Sequence, residues 1–153
     1  MIEPIRASVT VDCAQERAFR TFTERMDTWW PLEVHSIAVD DRDGAVKAEA
    51  VVVEGREGGR IYEVMSDGAE GSWGTILAWE PPSRVVIAWK PNTSDNPPTE
   101  LEITFSPRGE RTRVDLEHRG WERLGDLAEA ARAGYGEGWT RTLERYAGVA
   151  GDA

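Results

Sequence analysis

The order of apolar and polar residues along this chain predicts a definite succession of strands and helices. Residues 5–11 alternate apolar and polar side chains and are rich in β-branched residues, which predicts a half-buried strand. Residues 14–23 place their apolar side chains on one helical face, and we expect Asp12 to cap that helix. A second short helical turn is expected over residues 26–30, which a proline follows.

Six strand-like segments follow, and short stretches rich in glycine, proline, asparagine or aspartate separate them. Such close spacing favours an antiparallel meander over parallel strands joined by helices. The six segments are residues 46–54, 60–66, 71–79, 84–90, 100–106 and 111–118. A long helix is then expected over residues 126–147, with apolar residues at spacings of three and four. Gly134, Gly136 and Gly138 inside it indicate a close backbone approach or a break in the helix.

Tryptophan is the residue type that changes this picture most. The chain has seven tryptophans in 153 residues, and they are spread over several of the predicted elements. Large rings placed in this way suit the wall of a cavity as well as a filled core. A water-poor cavity of about 300 Å³ or more would favour a ligand-binding role. A filled core would favour a role of the protein surface.

Composition and charge exclude several classes of function. The formal net charge of −10 argues against nucleic-acid binding, because phosphate groups would be repelled. The single cysteine, Cys13, rules out an intramolecular disulfide, and two separated histidines give little basis for a metal site. We therefore assign no metal ligand and no cofactor. Lacking a secretory segment or an apolar run of about 18 residues, the chain is expected to be cytoplasmic, without a membrane span. Its length predicts one domain over residues 1–153.

Several short motifs resemble those of one known superfamily. They are GGRIYE at 58–63, WG at 73–74, WEPPSRV at 79–85, LEHRGW at 116–121 and GW at 138–139. In this order they resemble the SRPBCC (START-like) superfamily, and within it most closely the Hsp-ninety ATPase-activator homologues. The resemblance covers nearly the whole chain. It implies an α+β helix-grip fold, as in birch-pollen-allergen-type proteins. In that fold a curved antiparallel sheet wraps a long C-terminal helix, two short helices follow the first strand, and an apolar cavity lies between sheet and helix.

The resemblance leaves three functions open. Members of the superfamily include lipid and hormone carriers, polyketide cyclases and aromatases, and co-chaperones. We expect a small binding module that holds an apolar or aromatic small molecule between the sheet and the C-terminal helix. The first alternative is an enzyme of the cyclase or hydrolase type. The second is a co-chaperone-like protein-binding domain, although co-chaperone members carry a further domain before this one. A homodimer stays open, because the sequence does not fix the oligomeric state.

The candidate site residues follow from strand alternation and from the aromatic positions. Alternation turns Glu63 and His118 toward the interior, where they could polarise a ligand or act as an acid–base pair. In the alternative interpretation, Glu63 pairs with Arg60 or Arg84, and His118 bonds a backbone carbonyl. One of the two adjacent tryptophans at 29 and 30 is expected to pack and the other to face a ligand. We assign no catalytic residue. The predicted ligand-binding residues are Trp30, Glu63, Trp73, Trp89, Ile103, Phe105, His118 and Trp139.

Overall fold

A curved antiparallel sheet of seven strands forms the frame of the molecule, and helices pack on its concave face. The computed structural model describes residues 2–42, 45–136 and 138–151. The strands are β1 (Ile5–Val11), β2 (Ala48–Val53), β3 (Arg60–Met65), β4 (Glu70–Glu80), β5 (Arg84–Trp89), β6 (Thr99–Arg108) and β7 (Arg111–Arg119). Their order across the sheet is β1-β7-β6-β5-β4-β3-β2, so the first strand closes one edge by pairing with the last. The predicted meander and the helix-grip fold are both confirmed.

The helices fall into two groups along the chain. The described helices are α1 (Gln15–Glu24), α2 (Met26–Trp29), α3 (Ile37–Arg42), a 3-10 helix (Trp121–Leu127), α4 (Ala128–Tyr135) and α5 (Gly138–Gly151). The first group lies between β1 and β2, and the second follows β7. Within the described part of the chain, no helix has the length and apolar character needed to cross a membrane.

The helix predicted over residues 126–147 is interrupted, which is one of the two alternatives that its glycines indicated. A 3-10 helix leads into α4, which ends at Tyr135, and α5 begins at Gly138. A Cβ atom built on Gly134 or Gly138 would meet nothing within 4 Å. Close backbone approach therefore does not explain Gly134 or Gly138, whereas Gly136 and Gly138 lie at the break between the two helices. Each glycine lowers the local helix propensity by about 1 kcal/mol relative to alanine.

The beginning of α1 also differs from the prediction. The helix begins at Gln15, with Ala14 in the N-cap position, and no side chain among the described residues caps it. Asp12 lies instead 3.6 Å from the Arg111 guanidinium on β7. A further short helix, α3, was not predicted at all. Its six residues are too few to show a helical period in the sequence.

The alternation of inward and outward residues is confirmed where the strands pair without interruption. On β3, Ile61, Glu63 and Met65 are buried, and β6 and β7 bury their predicted inward residues in the same way. On β4 the alternation fails, because the register shifts next to Trp73 and again next to Leu77. Such bulges turn a strand and raise its twist, so β4 bends the sheet around the helices.

The outer face of the sheet carries a ladder of ion pairs. Arg119 on β7 donates from Nε to Glu100 at 2.7 Å and from Nη1 to Glu102 at 2.6 Å. Arg84 on β5 donates from Nε to the other oxygen of Glu102 at 2.5 Å. The hydrogen bonds from Arg119 and then Arg84 hold the pKa of Glu102 below its usual value. Three neighbouring strands are therefore tied together on their outer side.

Candidate ligand-binding site

Four tryptophans pack together between the sheet and α5, and we call them the tryptophan cluster. They are Trp30, Trp73, Trp89 and Trp139. Trp30 lies at the centre, with ring centroids 5.1 Å from Trp73, 5.6 Å from Trp89 and 5.7 Å from Trp139. These rings occupy the space in which the resemblance implied a cavity. The interior at this level is thus a packed aromatic core.

The polar edge of every ring in the tryptophan cluster is used inside the protein. Each of the four indole N–H groups donates a hydrogen bond: Trp30 to the His35 carbonyl at 2.7 Å, Trp73 to Glu63 Oε1 at 2.7 Å, Trp89 to the Tyr135 hydroxyl at 3.2 Å and Trp139 to His118 Nδ1 at 3.0 Å. These bonds fix the orientation of each ring. The buried indoles therefore serve as a rigid support for whatever lies in front of them.

Glu63 is fully buried and holds the start of α3. Its Oε1 accepts the backbone N–H of Ile37 at 2.6 Å, and its Oε2 accepts that of Ala38 at 3.0 Å. The Ser36 hydroxyl accepts the next N–H, that of Val39, at 3.2 Å. The first N–H groups of a helix lack partners within the helix, so Glu63 and Ser36 together supply three of the missing acceptors. A negative charge at this end also interacts favourably with the helix dipole.

The ion pair of Glu63 with Arg60 or Arg84, which was the alternative interpretation of the sequence, does not form. Arg60 pairs with Glu70 at 3.2 Å, and Arg84 pairs with Glu80 and Glu102 on the outer face. Strand alternation explains the difference, because Arg60 lies on the exposed face of β3 while Glu63 lies on the buried face. The Glu63 carboxylate is stabilised instead by backbone and indole N–H groups.

His118 lies in a separate hydrogen-bonded chain at the other side of the tryptophan cluster. Its Nδ1 accepts the Trp139 indole proton, so Nε2 carries the ring proton and donates it to Thr99 Oγ1 at 2.6 Å. The Thr99 hydroxyl in turn donates to the Trp89 carbonyl at 3.2 Å. Burial lowers the pKa of His118 to about 3, so the imidazole is neutral. Both ring nitrogens are engaged within the protein.

A cleft opens beside the tryptophan cluster, where the α2–α3 connection meets the break between α4 and α5. It has a volume of about 250 Å³, below the roughly 300 Å³ that would by itself favour a ligand-binding role, and we call it the tryptophan cleft. The residues that line it come from both helix groups and from the loop after β5: Trp30, His35, Ser36, Pro91, Asn92, Gly134, Tyr135, Gly138, Trp139 and Thr142. Tyr135 and Trp139 stack at 6.0 Å with an interplanar angle of 13°. None of these described lining residues is an acid, a lysine or an arginine.

The structure separates the predicted site residues into groups. Trp30 and Trp139 line the tryptophan cleft, while Trp29 packs against Phe22 with centroids 4.9 Å apart. Glu63, Trp73 and His118 are buried behind it, and Trp89 reaches a neighbouring cleft. Ile103 and Phe105 lie deep in the core and line neither cleft. The Phe105 ring contacts those of Phe19 and Phe22 instead.

Eight lining residues of the tryptophan cleft were not among the predicted site residues, and Tyr135, His35 and Asn92 are three of them. Tyr135 belonged to the apolar stripe of the predicted C-terminal helix, which is the one signal that pointed to it. His35 and Asn92 lie in connections without a periodic pattern, so no signal in the sequence pointed to them. Among the described residues, no group of three or more histidine, cysteine, aspartate or glutamate side chains is arranged to hold a metal ion.

The family model described as Activator of Hsp90 ATPase homolog 1-like protein matches residues 12–150. Among solved structures, the chain is similar to an anthrahydroquino-gamma-pyrone synthase, Txn09, complexed with SUM, at 34% identity and a TM-score of 0.65, with 97% of each chain covered. It is also similar to CalC, a self-sacrificing resistance protein from Micromonospora echinospora, at 31% identity and a TM-score of 0.71, covering 97% of this chain and 94% of that one. The Aha1 dimer from Colwellia psychrerythraea shares the fold at 14% identity and a TM-score of 0.66, with 100% of both chains covered. The search of curated proteins finds no match.

Proposed function

Because the chain belongs to the family of activator of Hsp90 ATPase homolog 1-like proteins, we propose that its tryptophan cleft binds a small molecule. The expected ligand is neutral, planar and aromatic, and it carries oxygen substituents. The observation that carries this proposal is the lining of the cleft. Its walls are aromatic rings, and the described lining residues bear no acidic or strongly basic side chain.

The walls favour a flat ligand. Trp30, Tyr135 and Trp139 present large rings whose orientation is fixed from behind by hydrogen bonds. Aromatic pairs gain about 0.5–1.5 kcal/mol beyond the area that they bury. The polar side chains of the lining, among them Asn92 and Thr142, can hydrogen-bond hydroxyl or carbonyl groups.

Charge argues for a neutral ligand. The formal net charge of the chain is −10, so an anion would be repelled on approach. An anion bound in the tryptophan cleft would also lack a described cationic partner there. The similar synthase supports the same class of ligand, because its name denotes an oxygenated aromatic compound with fused rings.

The test measures binding of 1,8-dihydroxyanthraquinone by the quenching of tryptophan emission. Anthraquinone-2-sulfonate serves as the matched anionic probe, and we expect it to bind more weakly. Gly138→Leu would place a side chain in the cleft, since nothing lies within 4 Å of a Cβ built there. Gly148→Leu is the control, because this residue of the same helix also has open space and lies outside the cleft.

The expected result is that wild type and Gly148→Leu bind the neutral probe alike, while Gly138→Leu binds at least tenfold more weakly. Equal affinity of all three proteins would place any bound probe outside the tryptophan cleft. A lack of quenching in the wild type, confirmed by calorimetry, would overturn the proposal.

The geometry does not support the acid–base pair that the sequence suggested. Glu63 and His118 lie in separate networks, and their side-chain polar atoms are bound within the protein. A general acid or base must reach the proton that it transfers, and neither residue lines the tryptophan cleft. An enzyme acting here would have to use the residues of the cleft itself.

A protein-binding role is the second candidate, and the packed tryptophan cluster is the observation that favours it. A filled interior leaves the surface as the functional part of the molecule. The test is stimulation of the Hsp90 ATPase by the purified protein, with Gly138→Leu as a variant that should leave such stimulation unchanged. Stimulation by both proteins, without probe binding, would favour this candidate over the first.

The proposal also covers the localisation, the domain organisation and the oligomeric state of the protein. We place its action in the cytoplasm and in one domain spanning residues 1–153, as the composition led us to expect. Sedimentation velocity at several concentrations measures the oligomeric state, and a homodimer would double the mass of 17.0 kDa.

A further inference from the structure

A second cleft adjoins the tryptophan cleft and shares part of its lining. It has a volume of about 360 Å³, and both clefts are lined by Pro91, Asn92 and Tyr135. The second cleft lies between the loop after β5 and the chain segment that includes the 3-10 helix and α4. Because the two clefts meet along common residues, a molecule bound in one can extend into the other.

The second cleft has an aliphatic wall, and we call it the leucine cleft. Leu124, Leu127 and Ala131 form that wall, whereas the opposite side, on the loop after β5, is polar and includes Lys90 and Asn96. Leu127 is 53% exposed, and a single exposed leucine is by itself ordinary on a protein surface. Its position at the edge of a cleft, rather than alone on the surface, is what makes the exposure informative.

Tyr135 separates the two clefts. It is the last residue of α4, its ring stacks on Trp139, and its hydroxyl accepts the Trp89 indole proton at 3.2 Å. Trp139 lines the tryptophan cleft and Trp89 lines the leucine cleft, so Tyr135 is bound on both sides. A ligand that spans the clefts would pass over this ring.

We propose that the leucine cleft is a second subsite for the same ligand and takes an apolar chain attached to the aromatic rings. The ligand class is thus an oxygenated planar aromatic compound that bears an alkyl or isoprenoid chain. This inference rests on the proposed function of the tryptophan cleft. A ligand gains affinity for each methylene that it buries against leucine and alanine side chains. These side chains form no hydrogen bond with a polar substituent.

The experiment compares unsubstituted 1,8-dihydroxyanthraquinone with derivatives that carry a methyl, butyl or hexyl chain on one ring. Full burial of a methylene corresponds to an affinity gain of about threefold to fourfold. We expect affinity for the wild type to rise by about twofold to fourfold per methylene until the leucine cleft is filled.

Leu127→Asp should abolish the gain with chain length and leave the affinity for the unsubstituted probe unchanged. Leu77→Asp is the matched control, since Leu77 is 46% exposed on β4 and lines neither cleft. This variant should keep the full gain. Thermal unfolding of both variants verifies that the fold is intact.

The outcomes separate this inference from the proposed function. If the unsubstituted probe binds but the chain adds nothing, the leucine cleft is not a subsite, and the proposed function stands. If Leu127→Asp and Leu77→Asp retain the same gain, the chain lies elsewhere, and the inference is wrong. If the hexyl derivative alone binds, and its binding requires Leu127, the leucine cleft stands as a site and the proposed role of the tryptophan cleft falls.

Discussion

Replacing Glu63 by glutamine removes one of the acceptors that hold the start of α3. Glutamine keeps one oxygen, which can serve the Ile37 and Trp73 donors that now share Oε1. Its amide nitrogen then faces the Ala38 N–H, which presently donates to Oε2 at 3.0 Å. Two donors face each other, and a buried N–H loses its partner.

The loss in the free energy of unfolding can be estimated from these contacts. A buried donor left without a partner costs about 1–3 kcal/mol. Losing the negative charge at the start of the helix costs about 0.3–1 kcal/mol more. Removing a buried charge recovers part of this loss, because the desolvation cost of the carboxylate disappears. We expect Glu63→Gln to lower the free energy of unfolding by about 1–3 kcal/mol.

Urea unfolding measures this change, and hydrogen exchange locates it. The amides of Ile37 and Ala38 should exchange faster in Glu63→Gln than in wild type. Affinity for the neutral anthraquinone should fall as well, because His35 and Ser36 next to this helix line the tryptophan cleft. The control is Glu49→Gln on β2, an exposed position where we expect a change within about 0.5 kcal/mol. Wild-type stability together with wild-type exchange at both amides would refute this account of Glu63.

Three further predictions concern stability. The folded pKa of His118, about 3, lies below the ordinary 6.5, so the unfolded state binds the extra proton between these values. Stability is therefore full above pH 6.5 and falls on acidification, by about 2 kcal/mol at pH 5; in urea titrations, His118→Gln should lack this dependence. Gly74→Ala would bring a Cβ to within 2.1 Å of the Ala88 carbonyl oxygen on the paired strand, whereas Gly148→Ala meets nothing within 4 Å. Thermal unfolding should show a loss of about 2 kcal/mol or more for the first and a gain of up to about 1 kcal/mol for the second; equal behaviour of the two would contradict this reasoning. Arg119→Met should cost about 1–2 kcal/mol at low salt, and a loss that does not shrink in 1 M salt would show that charge is not the cause.

Much of the fold was predictable because uninterrupted strands have a strict period of two. On β7 the buried Thr112, Val114, Leu116 and His118 follow that period without a break, and burial in the structure confirms it. The same rule turned Glu63 inward. Local sequence sufficed here, because the face of a residue depends on its immediate neighbours.

The features that could not be predicted depend on contacts between residues that are far apart in the sequence. The bulges of β4 at Trp73 and Leu77 arise from pairing with the neighbouring strands. The alternation of residues 73–79 is ambiguous in the sequence, since both faces carry apolar groups, and it did not locate the bulges. Likewise α3 is held by Glu63, which comes from a strand that follows it in the chain. The tryptophans were identified as interior residues, but the choice between cavity and packed cluster depends on how rings from four elements meet. Periodicity carries no information on that choice.

The position of β1 in the sheet has a consequence for the order of folding. Strands β2 to β7 pair as successive hairpins, each of which closes a short loop. In contrast, β1 pairs with β7 from Ile5 opposite His118, so a loop on the order of a hundred residues must close, at a cost of about 4 kcal/mol. Since α5 packs on β1, this last helix can pack on the sheet only after β1 has paired with β7. We therefore expect a slow, concerted last step that joins the two ends of the chain. Until then the unpaired backbone N–H and C=O groups along the edge of β7 stay open to pairing with another molecule.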